Sequence, residues 1–418
     1  MFKFIHCADL HLDSPLRGLQ IRGDALREDI RTATRKALEN LVELSIEQSV
    51  QFVVIAGDIY DGDWQDYSTG LFFNSMMMRL REYGIRVFLI KGNHDAASQI
   101  SKRLVLPDNV VEFRTDQPET YTMDEIGVAI HGWSYKEREV WENLALQYPD
   151  AYPGYFNIGL LHTSLDGKEG HERYAPCHPS ELIEKGYDYW ALGHIHKRQV
   201  ISEHPFIIFP GNIQGRHIRE TGEKGCTLVT VDGKDVTVEH RNLDVLRWYV
   251  CPVDLSAAET EIDFIEKVSS ALSDIVEREP GHPIAVRIIL SGETQMHNEL
   301  LQEQERYISE VKNAAQMTGA NQIWIEKIKF ETTAPQKASS SFEHTDAISE
   351  MIKEIDLNDL DDEFLSAYIQ KMKSIQNRLN QYVKREDAMK IEGKKDVEII
   401  LNDAKDLLIG MISRGGEV

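Results

Sequence analysis

With 418 residues, 46 Lys and Arg against 69 Asp and Glu, and a formal net charge of −23, the chain is too long for one core and too acidic to hold nucleic acid by bulk charge. Its 42% hydrophobic and 28% charged content is that of an ordinary globular protein, and no apolar run approaches the roughly 18 residues of a membrane span. Cys7, Cys177, Cys226 and Cys251 show no metal-finger or redox spacing, and Met1 to Cys7 carries no cleavable signal pattern, so a cytoplasmic protein with free thiols and no membrane contact is expected.

In chain order, a first short apolar run, Phe4 to Ala8, ends at Asp9 and His11. An amphipathic helix is expected from Asp24 to Val50, with Leu26, Ile30, Ala37, Leu38, Leu41 and Leu44 at helical spacing. A second run, Phe52 to Ala56, ends at Gly57 and Asp58, with Asp61 beyond. A second helix is expected from Tyr67 to Tyr83, its three consecutive methionines read as core. Val87 to Ile90 then stops at Gly92-Asn93-His94-Asp95. Ile158 to Leu161 delivers His162, and Trp190 to Leu192 delivers Gly193, His194 and His196. Such short continuous runs fit strands buried on both faces. Their alternation with helices predicts a layered α/β domain. The β-rich stretches Val110 to Trp133 and Pro205 to Val238 favour two packed sheets with antiparallel or mixed members over one Rossmann sheet.

After a break near Leu243, Trp248–Val253, Ile262–Val276, Pro283–Leu290, Leu300–Met317 and Gln322–Phe330 alternate β-α-β-α-β. This small unit holds no cluster of candidate catalytic residues, and His282 and His297 are expected to be surface or structural. Residues 332–341 read as a linker. Beyond it, stripes through Phe364, Tyr368, Met372 and Leu379, and through Val397, Leu401, Ala404 and Leu408, predict amphipathic helices. The expected domains are therefore 1–245, 246–331 and a helical segment at 342–418.

In open α/β sheets ligands bind outside the carboxyl ends of the strands. Five strand ends thus present Asp9, His11, Asp58, Asn93, His94, His162, His194 and His196 to one rim. Oxygen plus imidazole without thiolate suits Mn, Fe, Zn or Mg. There are too many ligands for one ion. A carboxylate can bridge two, and ions about 3.5–4 Å apart would flank an in-line displacement at phosphorus. A histidine not used as a ligand could supply the leaving group's proton.

This ordered set, Asp-x-His, Gly-Asp-x-x-Asp, Gly-Asn-His-Asp, a lone His and Gly-His-x-His, resembles that of the calcineurin-like metallophosphoesterases. Cys7-Ala8-Asp9-Leu10-His11-Leu12-Asp13 and Pro210-Gly211-Asn212 resemble the SbcD-type DNA repair nucleases, and among them the YhaO-like bacterial branch. The resemblance covers roughly residues 1–240 by motif, 250–330 by position and pattern, and the tail only loosely. It implies a two-sheet sandwich flanked by helices, an α/β capping domain that narrows access to the site, and a helical tail docking an SbcC-like coiled-coil ATPase, in a homodimer. It implies one metal held by Asp9, His11, Asp58 and His196, and another by Asp58, Asn93, His162 and His194, with Mn²⁺ preferred. His94 would be the catalytic imidazole, held or tuned by Asp95. The implied activity is exonuclease and single-strand or hairpin endonuclease cleavage of DNA. Some relatives carry histidine where this chain has Asp61, which is expected instead to orient a ligand. The residues alone leave a small-substrate phosphodiesterase or phosphatase, and a noncatalytic scaffold, as alternatives. Arg17, Arg216 and Arg219 are candidate phosphate contacts in an otherwise acidic chain, and Tyr60 and Trp64 candidate stacking partners for splayed bases.

Overall fold

The computed structural model describes residues 1–16, 19, 32–61, 67–97, 104–166, 174–319, 322–335, 370, 371, 373 and 374. Every residue of the amphipathic stripes expected beyond residue 342 lies outside them. The chain forms two compact units, residues 1–251 with 274–288 and 319–327, and residues 252–273 with 289–318 and 328 onward.

The first unit is built on two six-stranded sheets. In chain order come β1 (Phe2–Cys7), helix Ala33–Glu47, β2 (Phe52–Ala56), helix Tyr67–Glu82, β3 (Arg86–Ile90), the short helix Asn93–Ala97, and β4 (Val110–Glu112). β5 (Glu119–Met123), β6 (Val128–Gly132), β7 (Phe156–His162), helix Pro179–Glu184, β8 (Tyr189–Gly193), β9 (Gln199–Glu203), β10 (Phe206–Phe209), β11 (Gly225–Asp232) and β12 (Asp235–Asn242) follow. One sheet has the order β12-β11-β1-β2-β3-β4 and the other β5-β6-β7-β8-β10-β9. β1 to β4 run parallel, and β11 and β12 add antiparallel. The two-sheet expectation holds.

The physical basis is the composition of the runs. β2, β6 and β8 are buried along their whole length. Phe4, Phe52 and Phe88 from one sheet meet Ile158, Leu160, Tyr189 and Ala191 from the other in one core. The Phe4 and Phe52 rings stack at 5.0 Å. Each such buried ring contributes about 1.5–3 kcal/mol. Outside the first sheet, Ala37, Leu38, Leu41 and Val42 of helix Ala33–Glu47, and Phe73, Met76, Met77 and Leu80 of helix Tyr67–Glu82, form a second core. Met76 and Met77 are core as expected, while Met78 is exposed. Of the helix expected from Asp24 to Val50, the described part runs Ala33–Glu47, and residues 24–31 lie outside the described set.

Register sets the height of the strand ends. Cys7 pairs with Ile55, Ala56 with Ile90, and His162 with Gly193. Asp9, Asp58 and Asn93 therefore leave one sheet at one level, and His194 and His196 leave the other just beyond His162. Beyond β12 come β13 (Arg247–Asp254), helix Glu261–Arg278, β14 (Ile284–Glu293), helices His297–Gln302 and Gln304–Gly319, and β15 (Ile323–Thr333), with the sheet order β13-β14-β15. The single helix expected at Leu300–Met317 is two, separated at Glu303.

Candidate metal centre

The residues leaving the strand ends turn sharply. Asp9, His11, Asp58 and His194 have φ of 52°, 41°, 54° and 100°, the left-handed region that L residues avoid. The turns aim their side chains back over the sheet edges. Space for them is made by glycine. A Cβ on Gly57 would lie 2.6 Å from His162 Nδ1, and one on Gly92 would lie 2.8 Å from His162 Cε1 and collide with the Asp58 carboxylate.

The two sheets meet at this rim. His162 Nδ1 donates to the Ala56 carbonyl at 2.9 Å, which directs Nε2 toward Asn93 Oδ1 at 2.9 Å and Asp58 Oδ2 at 3.5 Å. His11 Nε2 and His196 Nε2 face one another at 3.1 Å. They lie 3.8 Å from Asp58 Oδ2 and 4.0 Å from Asp9 Oδ1 respectively. The backbone amide of His194 donates to both oxygens of Asp9 at 3.1 Å, and that of His94 donates to Asp58 Oδ1 at 2.9 Å.

Ligand atoms of Asp9, His11 and His196 lie within 4.8 Å of one another, as do those of Asp58, His162 and His194, and those of His11, Asp58 and His94. Asp58 recurs in two of these groups. The donor set is imidazole, carboxylate and one amide oxygen, and it fits a pair of divalent cations with Asp58 between them. Charge supports the fit. Burial resists ionisation of Asp58, but His162, His11 and His94 outweigh it and hold the carboxyl well below its ordinary range. Burial pushes Asp9 up, against the pull of His196 and His162. Burial likewise disfavours a charge on His162, yet Asp58 and Asp9 raise it to about 9. Without a cation the cluster thus retains protons, which ligation must release.

The partner of His94 differs from expectation. His94 Nδ1 lies 3.0 Å from Asp61 Oδ1, and Ser14 Oγ donates to Asp61 Oδ2 at 2.9 Å. The Asp95 carboxylate, which the family likeness assigned to hold His94, instead accepts the backbone amides of Ile59, Tyr60 and Gly92 at 2.9–3.2 Å. It ties the turn after β2 to the turn after β3. Burial, with Asp58 adding to it, pushes Asp95 up to about 7 despite those amides. Asp61 therefore bears directly on His94. Burial disfavours charge on His94, but Asp61 and Asp58 together raise its pKa.

Of the basic candidates, Arg17 lies outside the described residues and Arg219 is exposed. Arg216 is not an arm in solvent. Its side chain is 13% exposed, with Nη2 3.1 Å from Glu220 Oε1 and 3.2 Å from His196 Nδ1, and Nη1 3.5 Å from Ser14 Oγ. Tyr60 is buried in the core beneath helix Tyr67–Glu82 rather than open to a base, and Trp64 lies outside the described residues. Sequence reasoning missed Glu220 and Ser14. An acid in a Gly-rich polar loop reads as solvated, and nothing local marks it otherwise.

Residues 2–198 match the family model of the calcineurin-like phosphoesterases, and residues 248–333 match that of the middle domain of the metallophosphoesterase YhaO. A Bacillus subtilis (strain 168) protein described as the uncharacterized metallophosphoesterase YhaO is 38% identical over 293 residues, 69% of this chain and 71% of that protein. The chain belongs to the calcineurin-like metallophosphoesterases. This is a family of metal-dependent hydrolases with a dinuclear metal centre. The phosphoesterase is also 24% identical to the DNA double-strand break repair protein Mre11 of Sulfurisphaera tokodaii, over 328 residues, 75% of this chain and 78% of that protein. Among solved structures, a dimetal phosphatase from Danio rerio is 12% identical with a TM-score of 0.36, covering 58% of this chain and 96% of that one, too low a score to bear on the site. Among the described residues, no helix of the phosphoesterase is long and apolar enough to cross a membrane.

Proposed function

We propose that this phosphoesterase hydrolyses DNA phosphodiesters with two divalent metal ions, as the nuclease subunit of a cytoplasmic repair complex. The observation that carries the reading is the convergence of seven ligand candidates from two sheets on one rim around Asp58, in a chain similar over three-quarters of its length to an Mre11 protein. Asp9, His11, Asp58 and His196 would hold one metal, and Asp58, Asn93, His162 and His194 the other, with Mn²⁺ the first choice and Fe, Zn or Mg the alternatives. Residues 1–245 form the nuclease domain and 246–331 a capping domain. Residues 342–418 dock an SbcC-like ATPase, and the protein acts as a homodimer.

When bound, such a pair of ions activates a water and draws charge from the phosphoryl oxygens. The protein's own groups do the rest. Asp61 holds His94 through Nδ1, so that Nε2 can give its proton to the departing oxygen. Arg216, fixed beside His196, lends positive charge near the rim of a chain that otherwise repels phosphate.

The test is digestion of labelled linear, hairpin and single-stranded DNA beside a chromogenic phosphodiester, with Mn²⁺ and with chelator, and with Asn93→Ala as the control for a contaminating nuclease. DNA cut only with metal and only by wild type supports the reading. Cleavage of the small ester alone would favour a small-substrate phosphodiesterase, to which the net charge of −23 is better suited. No cleavage, with metal bound, would favour a scaffold.

The Asp61–His94 contact carries its own expectation. Since Asp61 helps raise the His94 pKa, Asp61→Asn should lower it, and the alkaline limb of kcat/KM should move to lower pH as the proton donor is lost earlier. Activity at neutral pH should fall roughly 10- to 100-fold. An unshifted limb at saturating Mn²⁺ would remove Asp61 from the mechanism.

A further inference from the structure

The loop from Pro210 to Lys224 contains no residue expected to touch a metal, yet it encloses one ligand candidate on both sides. The backbone oxygen of His196 accepts the Asn212 amide at 3.3 Å and Lys224 Nζ at 3.1 Å. Gly211, at φ 82°, packs so closely that a Cβ there would sit 3.0 Å from the same oxygen. On the imidazole side, His196 Nδ1 donates to Glu220 Oε1 at 2.7 Å.

Glu220 is itself only 6% exposed, and a buried carboxylate persists only where donors saturate it. They do so here. Oε2 accepts the Arg216 amide at 2.7 Å and Asn212 Nδ2 at 2.9 Å, and Oε1 also takes Arg216 Nη2 at 3.1 Å. Asn212 Nδ2 donates as well to the Gln214 carbonyl at 2.8 Å, which fixes the amide that steadies Glu220. The Pro-Gly-Asn motif is thereby accounted for by its geometry. Its glycine lets the loop approach His196, and its asparagine anchors the carboxylate.

We infer that Glu220 is a positioning residue that sets the His196 tautomer and ring orientation, and so the affinity of the metal position shared by Asp9, His11 and His196, while it holds Arg216 beside the rim. His196 Nδ1 meets the Glu220 carboxylate at 2.7 Å and the Arg216 Nη2 donor at 3.2 Å; the nearer acceptor places the hydrogen on that nitrogen and leaves Nε2, 4.0 Å from Asp9 Oδ1 and 3.1 Å from His11 Nε2, as the ligand atom. The carboxylate also makes that imidazole a stronger donor to a cation. Among the described residues Glu220 contacts His196, Asn212, Arg216 and His217 and neither His162 nor Asn93, so the other position should not depend on it. This inference rests on the two-metal reading above.

The test is calorimetric titration of the full chain with Mn²⁺ alone. Wild type should bind two ions. Glu220→Gln keeps size and one acceptor but can present an amide donor to Nδ1. It should weaken one of the two sites by roughly 10- to 100-fold and leave the other unchanged, and His196→Ala should lose that same site. Glu220→Asp, which keeps the charge, should recover part of the affinity. Thermal melts without metal check that each variant folds. Wild type binding fewer than two ions would instead sink the two-metal reading. Two wild-type sites with both retained at full affinity in folded Glu220→Gln would overturn the role of Glu220, as would equal weakening of both.

Discussion

Asp58→Ala is expected to empty both metal positions together and to remove metal-dependent hydrolysis. Asp58 is the group placed between the two sets. Its Oδ2 lies 3.8 Å from His11 Nε2 and 3.5 Å from His162 Nε2, and its Oδ1 accepts the His94 amide. Removing it would deprive both proposed positions of the ligand they share, and it leaves the His94 amide without that acceptor. Loss of both ions forfeits several kcal/mol of charge stabilisation, on the order of 10³-fold or more in rate. Metal content after dialysis, measured beside turnover, checks it. A variant that keeps one ion at wild-type affinity would show that Asp58 serves a single position.

His94→Ala is expected to separate binding from chemistry. His94 falls within one group with His11 and Asp58, so a ligand role has to be weighed. The two proposed sets, Asp9, His11, Asp58 and His196, and Asp58, Asn93, His162 and His194, are complete without it, and its Nδ1 lies 3.0 Å from Asp61 with Nε2 left for chemistry. Its side chain is 29% exposed, as that of His196 is 27%, so both face the open side of the rim where a leaving oxygen would be met. Turnover on DNA should fall about 10²- to 10⁴-fold with both ions retained. On a chromogenic ester the loss should be smaller, because an acidic phenol departs without a proton. Metal loss equal to that of Asp58→Ala would make His94 a ligand.

The strand ends were legible because parallel strands buried on both faces leave no polar interruption. Val87 to Ile90 is apolar throughout, so the first polar residues after it stand out as the edge of the sheet. The same logic found β1, β2, β7 and β8 and the residues that follow them. It could not separate Asp61 from Asp95. Both are acids a few residues past a strand end, and only the packed turns show that one lies beside an imidazole and the other beneath a row of amides. Nor could it see Glu220, whose neighbours in sequence are polar and whose burial comes from Asn212, Arg216 and His196. The antiparallel insertion of β11 against β1 was likewise invisible, since the β-prone composition of Gly225–Asp232 says that a strand exists and not which strand it joins.

The left-handed turns at Asp9, His11, Asp58 and His194 have a consequence for how such a protein would age in evolution. Each unfavourable backbone conformation costs on the order of 1–3 kcal/mol, and glycine would relieve it. Stability and chemistry therefore pull in opposite directions at the same four codons. A lineage released from its catalytic duty would gain robustness by substituting them, so decay should begin at these positions rather than in the apolar strands beneath. A relative with intact strands but glycine at those turns would have the signature of a fold that has outlived its reaction.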